Sequence, residues 1–236
     1  MTEHFEAGNL DDLTRAVVGL FPELDAVEQH LSLELYRLLA AGKPVPRVSL
    51  ADRLEMNVNI IDKILDRWPA VFSDSQRRVV GYWGLSIPSA QTSAHQLTID
   101  GRRLFAWCAW DTLFLPELLG KTAEVESASP TPGATVRLTV TPEKLVHVEP
   151  AGAEMSFFLP KASAVRKDLV SAFCCYVHFF PSSSASECWT AQHPGTFRLS
   201  IEEAYALARR KNEAQYRDTL RWTRHAATHL ANSTRA

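Results

Sequence analysis

Residues Asp100–Pro116 read DGRRLFAWCAWDTLFLP, an apolar segment that any fold of this chain must bury. The Asp-Gly pair that opens it is typical of a tight turn. Residues 103–115 are apolar almost all round a helical wheel, which predicts a buried helix that ends at the proline. Asp111 is unusual in such a run, because an unpaired buried charge costs several kcal/mol. We therefore expect Asp111 to be paired, protonated or used in chemistry.

The chain before this segment has the outline of a winged helix-turn-helix unit. Apolar periodicity and breaker residues predict a helix over residues 26–41, a short helix from an N-cap at Ser49 to about Asn57, and a third helix from Val58 to Pro69. Residues 71–83 then predict a β-hairpin.

A polar stretch at residues 87–94 predicts the boundary between an N-terminal domain, residues 1–88, and a second domain, residues 89–236. Alternating or continuous apolar residues predict strands at 136–140, 145–148, 155–159 and 173–180. Ser200 and Glu203 form a capping box that opens a long C-terminal helix. The sequence therefore predicts an α+β fold, in which a helical, winged-helix-like domain precedes a mixed, mostly antiparallel sheet with packed helices.

The composition is that of an ordinary soluble protein. The chain has 236 residues, of which 46% are hydrophobic and 22% charged, and its formal net charge is -2. No run approaches the ~20 apolar residues that a membrane span needs, and the acidic opening Met1–Ala7 does not resemble a signal peptide. These features predict a cytoplasmic protein without membrane association, in a compartment where thiols stay reduced.

The distribution of charge argues against nucleic acid as a partner. The third predicted helix would read DNA in a winged-helix protein, but it sets Lys63 and Arg67 against Asp62 and Asp66. Neutralisation of phosphates drives such binding, and this helix lacks the net positive charge for it. The basic residues near the C-terminus are most simply the solvated face of a helix.

The four cysteines are predicted to be free thiols. Cys174 and Cys175 are neighbours, and a Cα separation of ~3.8 Å is below the ~4.4–6.8 Å of a relaxed disulfide. Cys108 precedes Asp111 by three residues, so both side chains would share one face of a helix. On a strand, only one of Cys174 and Cys175 would face the same space. Residue types alone favour core packing, and the lack of a CxxC pattern argues against zinc.

Two segments resemble the signatures of bacterial organomercurial lyase (alkylmercury lyase): Asp100–Pro116 and Phe173–Phe180, which reads FCCYVHFF. Arg137–Pro142 and Val148–Gly152 are also similar to that family and occur in the same order, and weaker similarity extends the match to roughly residues 30–200. Two features depart from the family pattern. Residues 127–133 lack the family's further cysteine, and the tail past about residue 215 has no counterpart. The resemblance implies a winged-helix-like N-terminal domain and a sheet-containing catalytic domain.

The resemblance implies an enzyme that cleaves the carbon–mercury bond of organomercurials with two cysteines and one aspartate. By motif position these residues are Cys108, Cys174 and Asp111, which would also hold the Hg(II) product. No cofactor is implied. Cellular thiols would remove the Hg(II), and a mercuric reductase would receive it. Cys175 would face away from the site, and Cys188 would be structural. Candidate residues for a pocket around the organic group, each more simply explained as core, are Phe105, Trp107, Trp110 and Phe173.

Two other functional classes are compatible with a pair of thiols. A winged-helix mercury or metal sensor would bind DNA without turnover, and a carrier would bind mercury alone. A sensor needs thiols but no proton donor. The presence of Asp111 at its motif position therefore favours the enzyme.

Overall fold

The computed structural model describes residues 10–90 and 93–233. The N-terminal part of the described chain is helical. The helices are α1 (Leu10–Val18), α2 (Ala26–Leu39), α3 (Arg47–Leu54) and α4 (Val58–Arg67). A capping box starts α2, because the Asp25 carboxylate accepts the Glu28 N–H at 2.9 Å and the Glu28 carboxylate accepts the Asp25 N–H at 3.1 Å. The first and third predicted helices are confirmed as α2 and α4.

The short helix α3 begins three residues earlier than the sequence predicts. Pro46 is its N-cap, and Ser49 lies inside the helix without a capping role. Proline suits the start of a helix because it has no N–H that needs an intrahelical partner. Glu55 ends α3 in the left-handed conformation, with φ of 52°.

An eight-stranded antiparallel sheet forms the centre of the molecule. In spatial order its strands are β1 (Val71–Ser73), β2 (Val79–Tyr82), β3 (Leu85–Ser86), β5 (Arg102–Ala106), β4 (His95–Ile99), β6 (Ala123–Ala128), β7 (Thr135–Val140) and β8 (Leu145–Glu149). In β6, Ala123, Val125 and Ser127 are buried while the residues between them are exposed. The α+β class and the mostly antiparallel sheet are confirmed.

This sheet contains strands from both sides of residue 88, because β3 pairs with β5. The division into residues 1–88 and 89–236 stays a prediction.

The rest of the chain packs helices and a smaller sheet against this centre. These elements are α5 (Asp111–Leu119), β9 (Glu154–Phe158), α6 (Ala162–Lys167), α7 (Leu169–Ala172), a 3₁₀ turn (Cys174–Tyr176), β10 (Phe179–Phe180), α8 (Ser183–Ala191), β11 (Thr196–Ser200) and α9 (Ile201–Ser233). The smaller sheet has the order β10-β9-β11. The predicted capping box opens α9, which packs against α5 and kinks at Arg217. None of the described helices has both the length and the apolar character needed to cross a membrane.

The helix predicted over residues 103–115 is wrong. Residues 102–106 form strand β5, a turn follows, and α5 begins only at Asp111. Pro116 lies within α5, which ends at Gly120 in the left-handed conformation with φ of 63°. An apolar run that is buried on all sides has no periodicity to separate a strand from a helix. The sheet decides the matter here, because β5 is hydrogen-bonded on both edges, to β3 and β4.

The strand predicted over residues 173–180 is also wrong for most of its length. Only Phe179 and Phe180 are in a strand, and residues 174–176 form the 3₁₀ turn. The turn is closed by hydrogen bonds from Tyr176 N–H to Phe173 O at 3.0 Å and from Val177 N–H to Cys174 O at 3.2 Å. Continuous apolar character again concealed a change of backbone conformation.

Candidate active site

Two thiols and one carboxyl group meet in the interior of the protein. The side chains of Cys108, Asp111 and Cys174 are buried, and one ligand atom from each lies within 4.8 Å of the others. Cys108 is in the turn after β5, Asp111 is the first residue of α5, and Cys174 begins the 3₁₀ turn. The three residues predicted as catalytic and metal-binding are therefore brought together, although neither predicted element was correct.

Backbone hydrogen bonds fix the two segments that carry these side chains. The Asp111 Oδ2 atom accepts the Cys108 N–H at 2.8 Å, which closes the turn before α5. The Ala109 N–H donates to Val177 O at 3.2 Å and so joins the Cys108 turn to the Cys174 turn. The thiols and the carboxyl group are thus placed by one local and one tertiary hydrogen bond.

Both thiols are weaker acids than an exposed cysteine. Burial raises the pKa of Cys108 well above its ordinary value. The pKa of Cys174 is raised as well, because burial and the Asp111 charge outweigh the lowering effect of a hydrogen bond with Cys108. Both thiols are therefore held protonated, and only Cys174 keeps some exposure, 4% against 0% for Cys108.

Asp111 is a carboxyl group held close to neutrality. Burial raises its pKa to about 6, while the backbone N–H and the thiol of Cys108 act in the opposite direction by stabilising the charged form. A carboxyl group with a pKa near the pH of the cell can both accept and return a proton.

Gly84 is a site residue that sequence reasoning missed. It lies between β2 and β3 with φ of +91°, and a Cβ atom built on it would lie 2.6 Å from Asp111 Cγ and Oδ1. Only a glycine leaves this space for the carboxyl group. The sequence contains a Trp-Gly pair between two apolar runs, but nothing in it indicates which side chain approaches that glycine.

The four residues predicted for a substrate pocket are all buried, and the contacts seen for three of them are those of core residues. Trp107 donates to Ser86 Oγ at 2.6 Å, and Trp110 donates to Ala204 O at 3.0 Å. The Trp110 and Phe173 rings meet edge to face, 6.2 Å between centroids. Phe105 lies in β5 with its side chain buried. Contact of these four residues with substrate stays a prediction.

The two remaining cysteines lie outside the buried cluster. Cys175 is exposed, which confirms that it faces away from its neighbour Cys174. Cys188 is exposed on α8, where Gln192 Nε2 donates to its sulfur at 3.6 Å. The expected structural role for Cys188 is therefore wrong, because an exposed thiol contributes little to core packing.

Known proteins resemble this chain in sequence and in fold. A family model described as alkylmercury lyase matches residues 89–212. An alkylmercury lyase of Staphylococcus epidermidis is 38% identical over 202 residues, which cover 85% of this chain and 90% of the relative. An alkylmercury lyase of Bacillus cereus is 40% identical over 176 residues, 74% of this chain and 77% of the relative.

Among solved structures, the mercury-bound form of MerB2 superposes with a TM-score of 0.66 and 22% identity, over 86% of this chain and 97% of that chain. At that identity the likeness concerns the fold alone. The sequence matches carry the assignment: the chain belongs to the alkylmercury lyase family.

Proposed function

We propose that the Cys108–Asp111–Cys174 cluster is the catalytic site of an organomercurial lyase, in which the carbon–mercury bond is cleaved by protonation of the carbon. The observation that carries this proposal is the placement of two thiols and one carboxyl group within 4.8 Å of one another in a buried site. Thiolates are soft ligands that prefer soft metals, and mercury is the extreme case. A site that only bound the metal would need no proton donor. The carboxyl group can supply the proton that cleavage of the carbon–mercury bond requires.

The exposure of the two thiols gives an order to the steps. Cys174 keeps some exposure while Cys108 is fully buried, so the thiolate of Cys174 binds R–Hg⁺ first. Cys108 joins the mercury next and passes its proton to Asp111. With two sulfur donors on mercury, the electron pair of the carbon–mercury bond forms the new carbon–hydrogen bond with the proton from Asp111. Mercury stays Hg(II) throughout, R–H leaves, and the product ion is held by Cys108 and Cys174 with Asp111 as a third contact.

The surroundings of this site follow from the same proposal. The N-terminal residues 1–88 form a winged-helix-like domain that serves a structural or substrate-covering role, and residues 89–236 form the catalytic domain. The protein works in the reducing cytoplasm, where small-molecule thiols remove the Hg(II) and hand it to a mercuric reductase. A Cys108–Cys174 disulfide would leave no thiolate for mercury, so activity requires reducing conditions.

A headspace assay tests the proposed function directly. The purified protein is mixed with methylmercury or phenylmercury and excess thiol, and methane or benzene is measured by gas chromatography. We expect repeated turnovers with thiol present and about one equivalent of hydrocarbon without it, because the bound Hg(II) blocks the site. Stoichiometric mercury binding without hydrocarbon would instead identify a carrier. Mercury-dependent gel shifts with DNA would identify a sensor.

Gly84→Ala is expected to displace the Asp111 carboxyl group, because the new Cβ would lie 2.6 Å from Cγ and Oδ1. A displacement of about 1 Å slows such reactions roughly a hundredfold. Gly120→Ala is the matched control, since its φ is also positive but nothing lies within 4 Å of the added atom. Both variants should lose stability in urea denaturation through backbone strain. Equal hydrocarbon release from the two would contradict the assigned role of Gly84.

Cys175→Ser is expected to leave hydrocarbon release within about twofold of the unmodified protein, because an exposed side chain tolerates such a change. The measurement is the initial rate of benzene release at saturating phenylmercury. A loss as large as that expected for Cys174→Ser would mean that the wrong neighbour has been assigned to mercury.

A further inference from the structure

Strands β2 and β3 are joined by a turn of only two residues, Trp83 and Gly84, and both have a positive φ angle. This angle is 28° at Trp83 and 91° at Gly84. Tight hairpin turns of this kind favour Asn-Gly, because a bulky side chain is strained at positive φ. Such strain persists only where the surrounding structure holds the backbone, and it is frequent at active sites.

Hydrogen bonds hold this turn from three sides. The Trp83 N–H donates to Ala70 O at 3.1 Å, and the Tyr36 hydroxyl group on α2 donates to Trp83 O at 2.8 Å. The Trp107 N–H donates to Gly84 O at 3.0 Å. The Trp83 indole N–H is buried without a hydrogen-bond partner among the described residues, so these polar contacts hold Trp83 through its backbone. Of the three bonds, only that of Tyr36 comes from a side chain, so it is the one that a substitution removes.

The turn lies directly against the carboxyl group of the proposed site. A Cβ atom built on Gly84 would lie 2.6 Å from Cγ and Oδ1 of Asp111, so the Gly84 backbone forms one wall of the space that the carboxyl group occupies. Trp107, which donates to Gly84 O, is the residue before Cys108. A shift of the turn would therefore move the Asp111 carboxyl group relative to the thiol of Cys108.

We propose that Tyr36 is a positioning residue of the lyase reaction, whose hydroxyl group fixes the Trp83–Gly84 turn and, through it, the Asp111 carboxyl group. The inference rests on the proposed function, since it concerns the proton-transfer step of that reaction. Tyr36 is only 1% exposed and Trp83 is buried as well, so water does not readily take the place of the hydroxyl group at Trp83 O. Helix α2 thereby contributes to the geometry of a site that is built by other elements.

The test compares Tyr36→Phe with Tyr82→Phe in single-turnover assays of benzene release from phenylmercury. Tyr82 is the matched control, because it is equally buried, its ring lies 4.9 Å from that of Tyr36, and its hydroxyl group donates to Ser32 Oγ at 3.0 Å. Both variants lose one buried hydrogen bond and should unfold at lower urea concentration. Only Tyr36→Phe should slow benzene release, by about tenfold, because loss of one hydrogen bond shifts the turn by less than the ~1 Å that slows a reaction about a hundredfold. Both should still bind one Hg(II), since the thiols remain.

A double-mutant cycle separates positioning through the turn from a general loss of structure. In a protein that already carries Gly84→Ala, Tyr36→Phe should slow release by no more than about twofold, because both changes act on the same turn. Equal rates for Tyr36→Phe and Tyr82→Phe would overturn the proposal. So would a double variant slowed by the full product of the two single effects, which is the result expected of independent sites. If the unmodified protein releases no benzene, the proposed function itself fails, which separates the two outcomes.

Discussion

Replacement of either buried cysteine by serine is expected to abolish hydrocarbon release from methylmercury and phenylmercury. A serine hydroxyl is a hard donor that does not ionise near neutral pH, so it replaces neither the affinity for a soft metal nor the electron donation of a thiolate. Loss of one member of a catalytic group that acts as a unit lowers turnover by roughly a thousandfold or more. The measurement is headspace hydrocarbon from Cys108→Ser and Cys174→Ser with excess thiol.

The two variants should differ in what they still bind. Cys108→Ser keeps the thiol that is partly accessible, so it should trap R–Hg⁺ on Cys174 as an adduct visible in the intact-protein mass. Cys174→Ser keeps only Cys108, which is fully buried, and should form the adduct more slowly. Cys188→Ser is the control for general thiol loss, since that residue is exposed. Full turnover by either buried-site variant would refute the two-thiol mechanism.

Asp111→Asn is expected to slow carbon protonation by about two to four orders of magnitude, the usual contribution of a general acid. The amide oxygen can still accept the Cys108 N–H that the Oδ2 atom accepts at 2.8 Å, so the turn keeps its shape. Both thiols remain, and Hg(II) binding should be retained. The measurement pairs single-turnover benzene release with mercury-binding stoichiometry. Parallel loss of both would show that Asp111 is needed for the structure of the site and would argue against a role confined to proton transfer.

The same substitution should stabilise the protein in a pH-dependent manner. Burial raises the pKa of Asp111 to about 6 from an ordinary 3.8, so the folded state holds this proton more tightly than the unfolded state. Stability contributed by this group is therefore lost as the pH rises from about 4 to about 6, and the cost persists above pH 6. Asparagine removes that cost, worth up to about 3 kcal/mol. Urea denaturation at pH 7.5 and pH 4.5 should show a gain that is roughly three times larger at the higher pH. A gain of equal size at both would contradict the raised pKa.

The features that sequence reasoning predicted best are those set by local chemistry. The capping box of Ser200 and Glu203 marked the start of α9, because the hydrogen bonds of a cap join residues only three apart. Alternation at Val136, Leu138 and Val140 marked β7, since one face of the antiparallel sheet is buried. Where apolar residues were continuous, around Cys108 and Cys174, the predicted helix and strand were wrong because burial on every side leaves no period to measure.

Sequence alone determined which groups are candidates for the chemistry. It presented two thiols and one carboxyl group in motifs that resemble a known family, and a carboxyl group inside an apolar run must be paired, protonated or used in chemistry. Tertiary structure decided everything that depends on residues distant in the chain. The Ala109–Val177 hydrogen bond joins the Cys108 turn to the Cys174 turn, and Gly84 leaves room for the Asp111 carboxyl group. Contacts across such separations are set by how the sheet and helices pack. The pattern of apolar residues along the chain does not show which distant residues will meet.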